Sequence, residues 1–328
     1  MSAVPVSSAV PALSSTPSAF DAISLDDKYL IEHGRAYMTG THALVRLPML
    51  QRQRDLANGL NTAGFISGYR GSPLGGYDQA LWKAKKFLKE NHIHFTPGVN
   101  EELAATAVWG SQQVGLFAGA KYDGVFGIWY GKGPGVDRSG DVFKHANAAG
   151  SSKHGGVLLV AGDDHACKSS TLPHQSEHIF DAAMIPVLYP TGVQEILDLG
   201  MHGFAMSRYS GLYVAFKCVS DTVDASASVL IDPDNPKIIL PDDFPLPANG
   251  LYCVGPMHHL SRNCGCSTIK FTLRWLMRES INSIVLPLMP PNHGLALLRR
   301  ARAIWMFCRR WKIWALMSVT LPRSAYAS

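Results

Sequence analysis

At 328 residues, 47% of them hydrophobic, the chain is long enough for one large or two medium domains with a buried core. Its formal charge of +5 points toward an anionic partner such as nucleic acid, but the charge is unevenly spread. Residues 252–328 hold 11 of the 30 Lys and Arg and one acid, Glu279; the first 251 residues carry 19 bases against 24 acids, a mildly acidic body that argues against nucleic acid.

Residues 1–24 are Ser, Ala, Pro and Val with almost no charge. They cannot bury enough apolar surface to offset chain entropy and read as a disordered leader. They carry no basic segment followed by a sustained apolar one, so no signal peptide is expected. No run of 18 or more uncharged apolar residues occurs, so no membrane span is expected and the cytoplasm is the default location.

Structure is expected to begin near Leu25, opening a domain over 25–251. Apolar residues at helical spacing (Leu44, Leu47, Leu50, Leu56, Leu60) predict a helix over 41–60, bent or started near Pro48. Strands are predicted near 64–68, 93–96, 124–130, 156–161, 185–189 and 212–217. Helices are predicted near 76–90, 101–117, 141–149, 174–183 and 192–207. The strands are short apolar runs without polar alternation, as strands buried on both faces should be. Such β-α-β units predict a three-layer α/β/α fold around a mostly parallel sheet of about six strands. Ligands of these sheets sit at the carboxyl ends of the strands, where the Gly-rich turns of this chain fall.

The rest of the chain is organised around residues 95–110, which read as a strand end, a Pro97-Gly98 turn and a helix. Asn100 is a good N-cap, and Glu101 and Glu102 follow at the positive end of the helix dipole. Beyond them Ala104, Ala105, Ala107 and Val108 make a thin helix that another backbone or a flat ring could approach closely. From spacing alone, an ordinary acidic cap on a buried helix is the plainer reading.

The loop 68–76 combines glycines with Ser72-Pro73 just ahead of a helix start, but no Gly-Lys-Ser/Thr follows and it is not a P-loop. Lys132, flanked by Gly131 and Gly133, could bind a carboxylate or a phosphate, or be a solvated loop lysine. Asp163-Asp164 read as a strand-end turn with helix-capping character. His165, His174 and His178 near Ser169 and Ser170 raise a serine hydrolase, yet no nucleophile elbow is present. Cys167 and Cys218 read as buried or loop thiols in a reducing compartment. Cys253, Cys264, Cys266 and Cys308 lack Cys-x-x-Cys pairs, and with His258-His259 they read as a chance cluster, so no metal ligands are assigned.

Three segments carry a family resemblance. They are 44–52 (from Leu44-Val45-Arg46 through Pro48 to Gln51-Arg52), 59–76 (Gly59-Leu60-Asn61 through Gly68-Tyr69-Arg70-Gly71-Ser72-Pro73 to Gly75-Gly76), and 129–138 (Trp129-Tyr130-Gly131-Lys132-Gly133-Pro134-Gly135-Val136-Asp137-Arg138). With Asn100-Glu101, the small residues after it and Gly110 nine positions on, they resemble the N-terminal part of indolepyruvate ferredoxin oxidoreductases. These belong to the 2-oxoacid:ferredoxin oxidoreductase family, and the resemblance runs from about residue 25 to 251. It implies the thiamine-diphosphate-binding fold, with this chain as its pyrimidine-binding module.

The resemblance implies that Glu101 hydrogen-bonds the cofactor's aminopyrimidine ring and is the catalytic glutamate, with Gly71 and Gly110 also in the cofactor site. The family's Glu-to-Gly spacing reaches Gly110 and not Ser111, which selects Glu101 over Glu102; neighbours on a helix point about 100° apart, so only one can serve. Relatives carry Tyr-Pro-x-Thr-Pro where this chain has Tyr69-Arg70-Gly71-Ser72-Pro73. Ser72 would inherit the threonine's place near the substrate carboxylate; Arg70 would add a cationic contact or lie at the surface. Lys132 is the third substrate-binding candidate. The implied reaction is oxidative decarboxylation of a 2-oxoacid to an acyl-CoA with reduction of ferredoxin. The family uses thiamine diphosphate, Mg²⁺, coenzyme A and iron–sulfur clusters for it. This sequence offers no pyrophosphate-binding module and no Mg²⁺ or cluster ligands. The chain is therefore expected to be a fragment, inactive alone and completed by a pyrophosphate-binding module from another chain or a missing part, in a homo-oligomer.

After Leu251 the character changes. Trp275, Trp305, Trp311 and Trp314 mix with Arg299-Arg300, Arg302 and Arg309-Arg310. A nucleic-acid patch, a basic amphipathic helix at a membrane surface and a non-native sequence are the three readings. The near absence of acids over 252–328, where the resemblance also stops, favours a frameshift-like, poorly ordered tail. The rival to the enzyme reading is a non-catalytic α/β interaction or scaffold protein that uses this tail.

Overall fold

The computed structural model describes residues 24–168, 170–240 and 250–253. Expectations for the leader and for the tail beyond Cys253 lie outside the described residues. Two compact units divide the chain, Met1–Arg274 and Trp275–Ser328, and every described residue belongs to the first.

The N-terminal half contains α1 (Asp27–Leu30), β1 (Gly34–Thr39), α2 (Gly40–Ala57), β2 (Thr62–Gly68), α3 (Tyr77–Lys83), α4 (Lys85–Glu90), β3 (Ile93–Phe95) and α5 (Glu101–Ser111). Next come β4 (Gly124–Lys132), α6 (Gly133–Arg138), α7 (Gly140–Ala149), β5 (Val157–Gly162) and α8 (Glu177–Ala182). The series ends with β6 (Val187–Leu188), α9 (Val193–Ser210), β7 (Val214–Cys218), α10 (Ser220–Val223) and β8 (Ser226–Ile231). Six strands form one sheet in the order β3-β2-β4-β5-β7-β6, and each neighbouring pair is parallel.

Alternation along the buried strands separates two cores. Trp129, Val157, Leu159, Ala161, Tyr213 and Ala215 pack with Ala104, Ala105, Phe143 and Phe180 from α5, α7 and α8. On the other face Phe126 meets Phe204 of α9, Tyr130 meets Tyr77 of α3, and Leu47 of α2 closes on Gly200. The result is the expected three-layer α/β/α fold with a parallel sheet.

Departures from expectation have local causes. The helix predicted over 76–90 breaks at Ala84 into α3 and α4. The one predicted over 101–117 stops at Ser111, followed by a 3₁₀ turn at Val114–Leu116, where Gly110 and Gly115 weaken helical propensity. Pro48 lies inside α2 and neither starts nor ends it. Proline removes the N–H that would reach the Leu44 carbonyl, and the Tyr77 hydroxyl donates to that carbonyl instead, at 3.3 Å. An antiparallel ribbon of β1 and β8, with Ala36, Met38, Val229 and Ile231 turned inward, was not expected. Leu251 is buried, and the Cys253 N–H donates to the Ser151 carbonyl at 2.9 Å, so the chain at 250–253 lies back on the body. No helix among the described residues is long and apolar enough to cross a membrane.

At the amino edge of the sheet one buried carboxylate ties α2, β2 and α9 together. Asp55 of α2 takes both Arg208 terminal nitrogens, at 2.6 and 2.7 Å, and also accepts from Thr62 Oγ1 at 2.6 Å and Gln51 Nε2 at 2.9 Å. Arg208 Nε donates onward to the Gly155 carbonyl at 2.8 Å. Arg208→Ala leaves this carboxylate without its countercharge. It is expected to cost about 3 kcal/mol in urea unfolding, whereas Arg35→Ala, at an exposed site, should stay within about 0.5 kcal/mol.

Candidate functional site

The chain leaves β2 through α3 and α4 toward β3, on one side, and leaves β4 through α6 and α7 toward β5, on the other. Adjacent strands whose connections diverge open a crevice at their carboxyl ends, the usual ligand position in such sheets. Three segments converge there: loop 69–76 after β2, α6 after β4, and the turn entering α5. That turn is tied down by Gly98 N–H donating to the Gly68 carbonyl at 2.8 Å and Thr96 N–H to the Ile66 carbonyl at 3.0 Å.

Asn100 caps α5, its Oδ1 accepting from the Leu103 N–H at 2.8 Å. Glu101, only 8% exposed, turns into the body. Its side chain lies directly on glycine backbone. A β-carbon on Gly135 would sit 2.4 Å from Glu101 Cγ and 2.8 Å from Oε1, and one on Gly131 would sit 3.4 Å from Cγ. Trp129 Nε1 donates to the Glu101 carbonyl at 2.9 Å and fixes the first turn against β4. Among the described residues no hydrogen bond or ion pair reaches the Glu101 carboxylate. Glu102 faces solvent, with Arg138 Nε at 4.0 Å. One glutamate is thus a surface charge and the other a largely buried carboxylate with no protein donor among the described residues, its oxygens still open to water or a ligand.

Lys132 lies at the very end of β4, next to Gly131 but on the opposite face by strand alternation. Its half-buried side chain crosses Gly71, where a β-carbon would lie 2.8 Å from Lys132 Cδ. Ser72 is half-buried, and the Pro73 and Leu74 that follow it pack on Gly162. Arg70 is exposed. Gly110 lies at the far end of α5, about 14 Å along the helix axis from Glu101 at 1.5 Å per residue, exposed and with nothing within 4 Å of a β-carbon built on it. Glu101, Gly71, Ser72 and Lys132 therefore gather at the carboxyl ends of β2 and β4, and Gly110 does not join them.

Sequence reasoning missed a polar cluster beside this crevice. Asp163, at the end of β5, accepts from the Ser176 N–H at 2.9 Å and the Ser176 hydroxyl at 2.5 Å, and pairs with Lys217 Nζ at 3.3 Å. Lys217 also meets Glu177 at 2.7 Å and sits 5.3 Å from the centre of the Tyr189 ring. Burial would push Glu177 up, but the Lys217 hydrogen bond and charge outweigh it and hold the carboxyl below its usual range. His174 Nε2 lies 3.0 Å from Asp137 of α6, and its Nδ1 lies 3.6 Å from Asp163. The signal in the sequence was Lys217 inside an apolar strand run, since a buried ammonium needs carboxylates around it. Of the two serines in the hydrolase reading, Ser169 lies outside the described residues and Ser170 makes no hydrogen bond to a histidine among them, while His178 is exposed beside Gln175. Among the described residues no group of three or more His, Cys, Asp or Glu could hold a metal ion.

The two glycines of this region give opposite expectations. Gly135→Ala must displace Glu101 or α6 and should cost about 1–3 kcal/mol in denaturant unfolding. Gly110→Ala adds a methyl group in open space on a helix and should stabilise by about 0.5–1 kcal/mol.

No family model matches the chain. It is 26% identical over 189 residues to the indolepyruvate oxidoreductase subunit IorA of Methanothermobacter marburgensis, a match covering 57% of this chain and 26% of that one. The same subunit from Methanothermobacter thermautotrophicus is 26% identical over 154 residues, covering 47% of this chain and 23% of the relative. The chain thus spans about a quarter of the length of these curated relatives. A solved 2-oxoglutarate:ferredoxin oxidoreductase from Magnetococcus marinus, with 2-oxoglutarate, coenzyme A and succinyl-CoA bound, aligns at TM-score 0.45 and 16% identity, over 62% of this chain and 33% of that one. Over about half of its length the chain is thus similar in sequence to a segment of these IorA subunits.

Proposed function

We propose that residues 25–251 form the pyrimidine-binding half of a thiamine-diphosphate site in a 2-oxoacid:ferredoxin oxidoreductase that acts on indolepyruvate or a similar aryl 2-oxoacid. The observation that carries this reading is the Glu101 carboxylate, shielded against the bare backbone of Gly131 and Gly135 and without an internal donor. A ring nitrogen is the partner such a carboxylate fits, and the two glycines leave backbone that a flat ring can approach. When bound, the cofactor supplies an acidic thiazolium carbon and the electron sink that decarboxylation of a 2-oxoacid requires. Glu101 would hold a proton at its carboxyl oxygen, shared with the pyrimidine nitrogen. Asn100 and Trp129 fix the first turn of α5, so that this oxygen is already in place.

The Ser72 hydroxyl and the Lys132 ammonium, on the neighbouring loop and strand end, would hold the substrate carboxylate. Lys132 could serve a phosphate of coenzyme A in the same way, with Arg70 as a further cation at the rim. Gly71 matters to this arrangement as the surface over which Lys132 extends. The pyrophosphate and Mg²⁺ half, the iron–sulfur clusters and the ferredoxin contact would come from another chain or another part of a longer one.

We assign residues 252–328 to a frameshift-like end of the chain. Because Leu251 and the Cys253 N–H contact the body, a chain ending after Cys253 should unfold as cooperatively as the full chain and be more soluble. A broadened or lost transition would mean that the tail packs into the core.

The full chain alone should show no oxoacid decarboxylation. Assembled with a pyrophosphate-binding half, Glu101→Gln should cut turnover by ~10²-fold or more with the fold intact. Glu102→Gln should change it little, since its helix-dipole contribution is at most a few tenths of a kcal/mol. Hydrogen–deuterium exchange at the thiazolium carbon reads the step directly, and normal exchange in both variants would leave the helix with a structural role only.

A further inference from the structure

The weakest element beside Glu101 is α6, the helix that presents Gly135 to it. Six residues with glycines at 133 and 135 cannot hold a helix by backbone propensity, so tertiary contacts must set its position. Two of these contacts come from a single ring. His174 packs against the first residue of α6: a β-carbon on Gly133 would be 2.1 Å from His174 Nδ1 and 2.2 Å from Cγ. The same ring reaches Asp137, one turn later, through Nε2 at 3.0 Å. Its other nitrogen faces the buried Asp163 at 3.6 Å, and Asp163 in turn is held by Ser176 and Lys217. An unbroken series of contacts therefore runs from the end of β5 through His174 to α6 and, by way of Gly135, to the Glu101 side chain.

We propose that His174 is a positioning residue for Glu101, acting as a clamp that fixes α6 and so the glycine wall against which the carboxyl is set. This rests on the reading of Glu101 as the pyrimidine-binding glutamate, but the clamp itself is a property of this chain without cofactor. No hydrogen bond or ion pair joins His174 to Glu101, and the proposed effect passes through α6.

The first test uses the full chain, without cofactor, labelled with ¹³C at glutamate side-chain carboxyls. The Glu101 signal is assigned by its disappearance in Glu101→Gln. In His174→Ala and in Asp137→Asn this signal should shift and broaden while the circular dichroism stays unchanged; His174→Gln, which keeps a donor toward Asp137, should restore it in part. Asp137 is half-exposed, so Asp137→Asn keeps the test open should His174→Ala fail to fold. An unmoved Glu101 signal in the folded variants would overturn the proposal.

The second test uses the assembled enzyme. His174→Ala should slow exchange at the thiazolium carbon by about tenfold or more, the scale expected when a catalytic group shifts by a fraction of an ångström, while cofactor affinity changes less than about twofold. In the Glu101→Gln background His174→Ala should add nothing. A full additional loss there would show that His174 acts by some other route and would overturn the clamp. If Glu101→Gln itself leaves exchange normal, the pyrimidine-site reading fails, and the carboxyl signal still decides whether His174 holds Glu101.

Discussion

The Glu101 side chain can occupy its place only because residue 135 has no β-carbon, which would sit 2.4 Å from Glu101 Cγ. That contact fixes how closely α5, the end of β4 and α6 can approach one another at the carboxyl edge of the sheet. The neighbouring hydrogen bonds serve the same end. Trp129 uses the second lone pair of the Glu101 carbonyl, and the Asn100 side chain takes an N–H that the first turn would otherwise leave unpaired. Both hold the backbone of Glu101 and leave its carboxylate oxygens unengaged. A glutamate serving only as an acidic cap would gain more by turning to solvent, as Glu102 does.

The two edges of the sheet treat buried charge differently. At the amino edge Asp55 is surrounded by donors from Arg208, Thr62 and Gln51, an arrangement that locks α2 to α9 and leaves little for a ligand to gain. At the carboxyl edge Asp163 and Lys217 are likewise satisfied among themselves. Glu101 has no such protein partner among the described residues. The contrast separates charges that build the scaffold from the one charge positioned by it. It also fits His174, hydrogen-bonded to Asp137 through Nε2 and with Asp163 3.6 Å from Nδ1, to a clamp better than to a base.

Much of the fold was legible because strands buried on both faces are apolar runs. The segments around Val125–Tyr130 and Val157–Ala161 could hardly be anything else in a chain of alternating helices. The β1–β8 ribbon was harder to see. Its inward residues are Ala36, Met38, Val229 and Ile231, interrupted by Arg35, Tyr37 and Ser228, and its partners are almost two hundred residues apart. For the site, helix capping at Asn100 follows from local rules, whereas Glu101 was singled out from Glu102 by the spacing that the family resemblance implies. The distance to Gly110 follows from helix rise alone, yet a motif spacing carried over from a family conceals it: nine residues along a helix is a separation and not a contact. The Asp163–His174–Lys217 cluster depends on residues from four segments, and only the oddity of a lysine in a parallel strand pointed to it.

Helix α6 shows what the arrangement costs. Each glycine inside a helix gives up roughly 1 kcal/mol relative to alanine, and α6 carries two in its first turn, one on each side of Pro134. Pro134 recovers part of that, since its fixed φ suits the start of a helix, where a missing N–H is no loss. Val136, fully buried, anchors the helix to the core shared by Trp129 and Phe143. What remains must come from contacts such as the His174 ring on Gly133 and its bond to Asp137. Replacing either glycine by alanine would favour the isolated helix but push a methyl group into Glu101 or into His174. Local propensity and tertiary fit therefore conflict at these positions, and such conflicts are tolerated where a site needs backbone brought close to a functional side chain. Position 110 carries no such conflict: glycine there gives α5 flexibility near its end without bringing anything near.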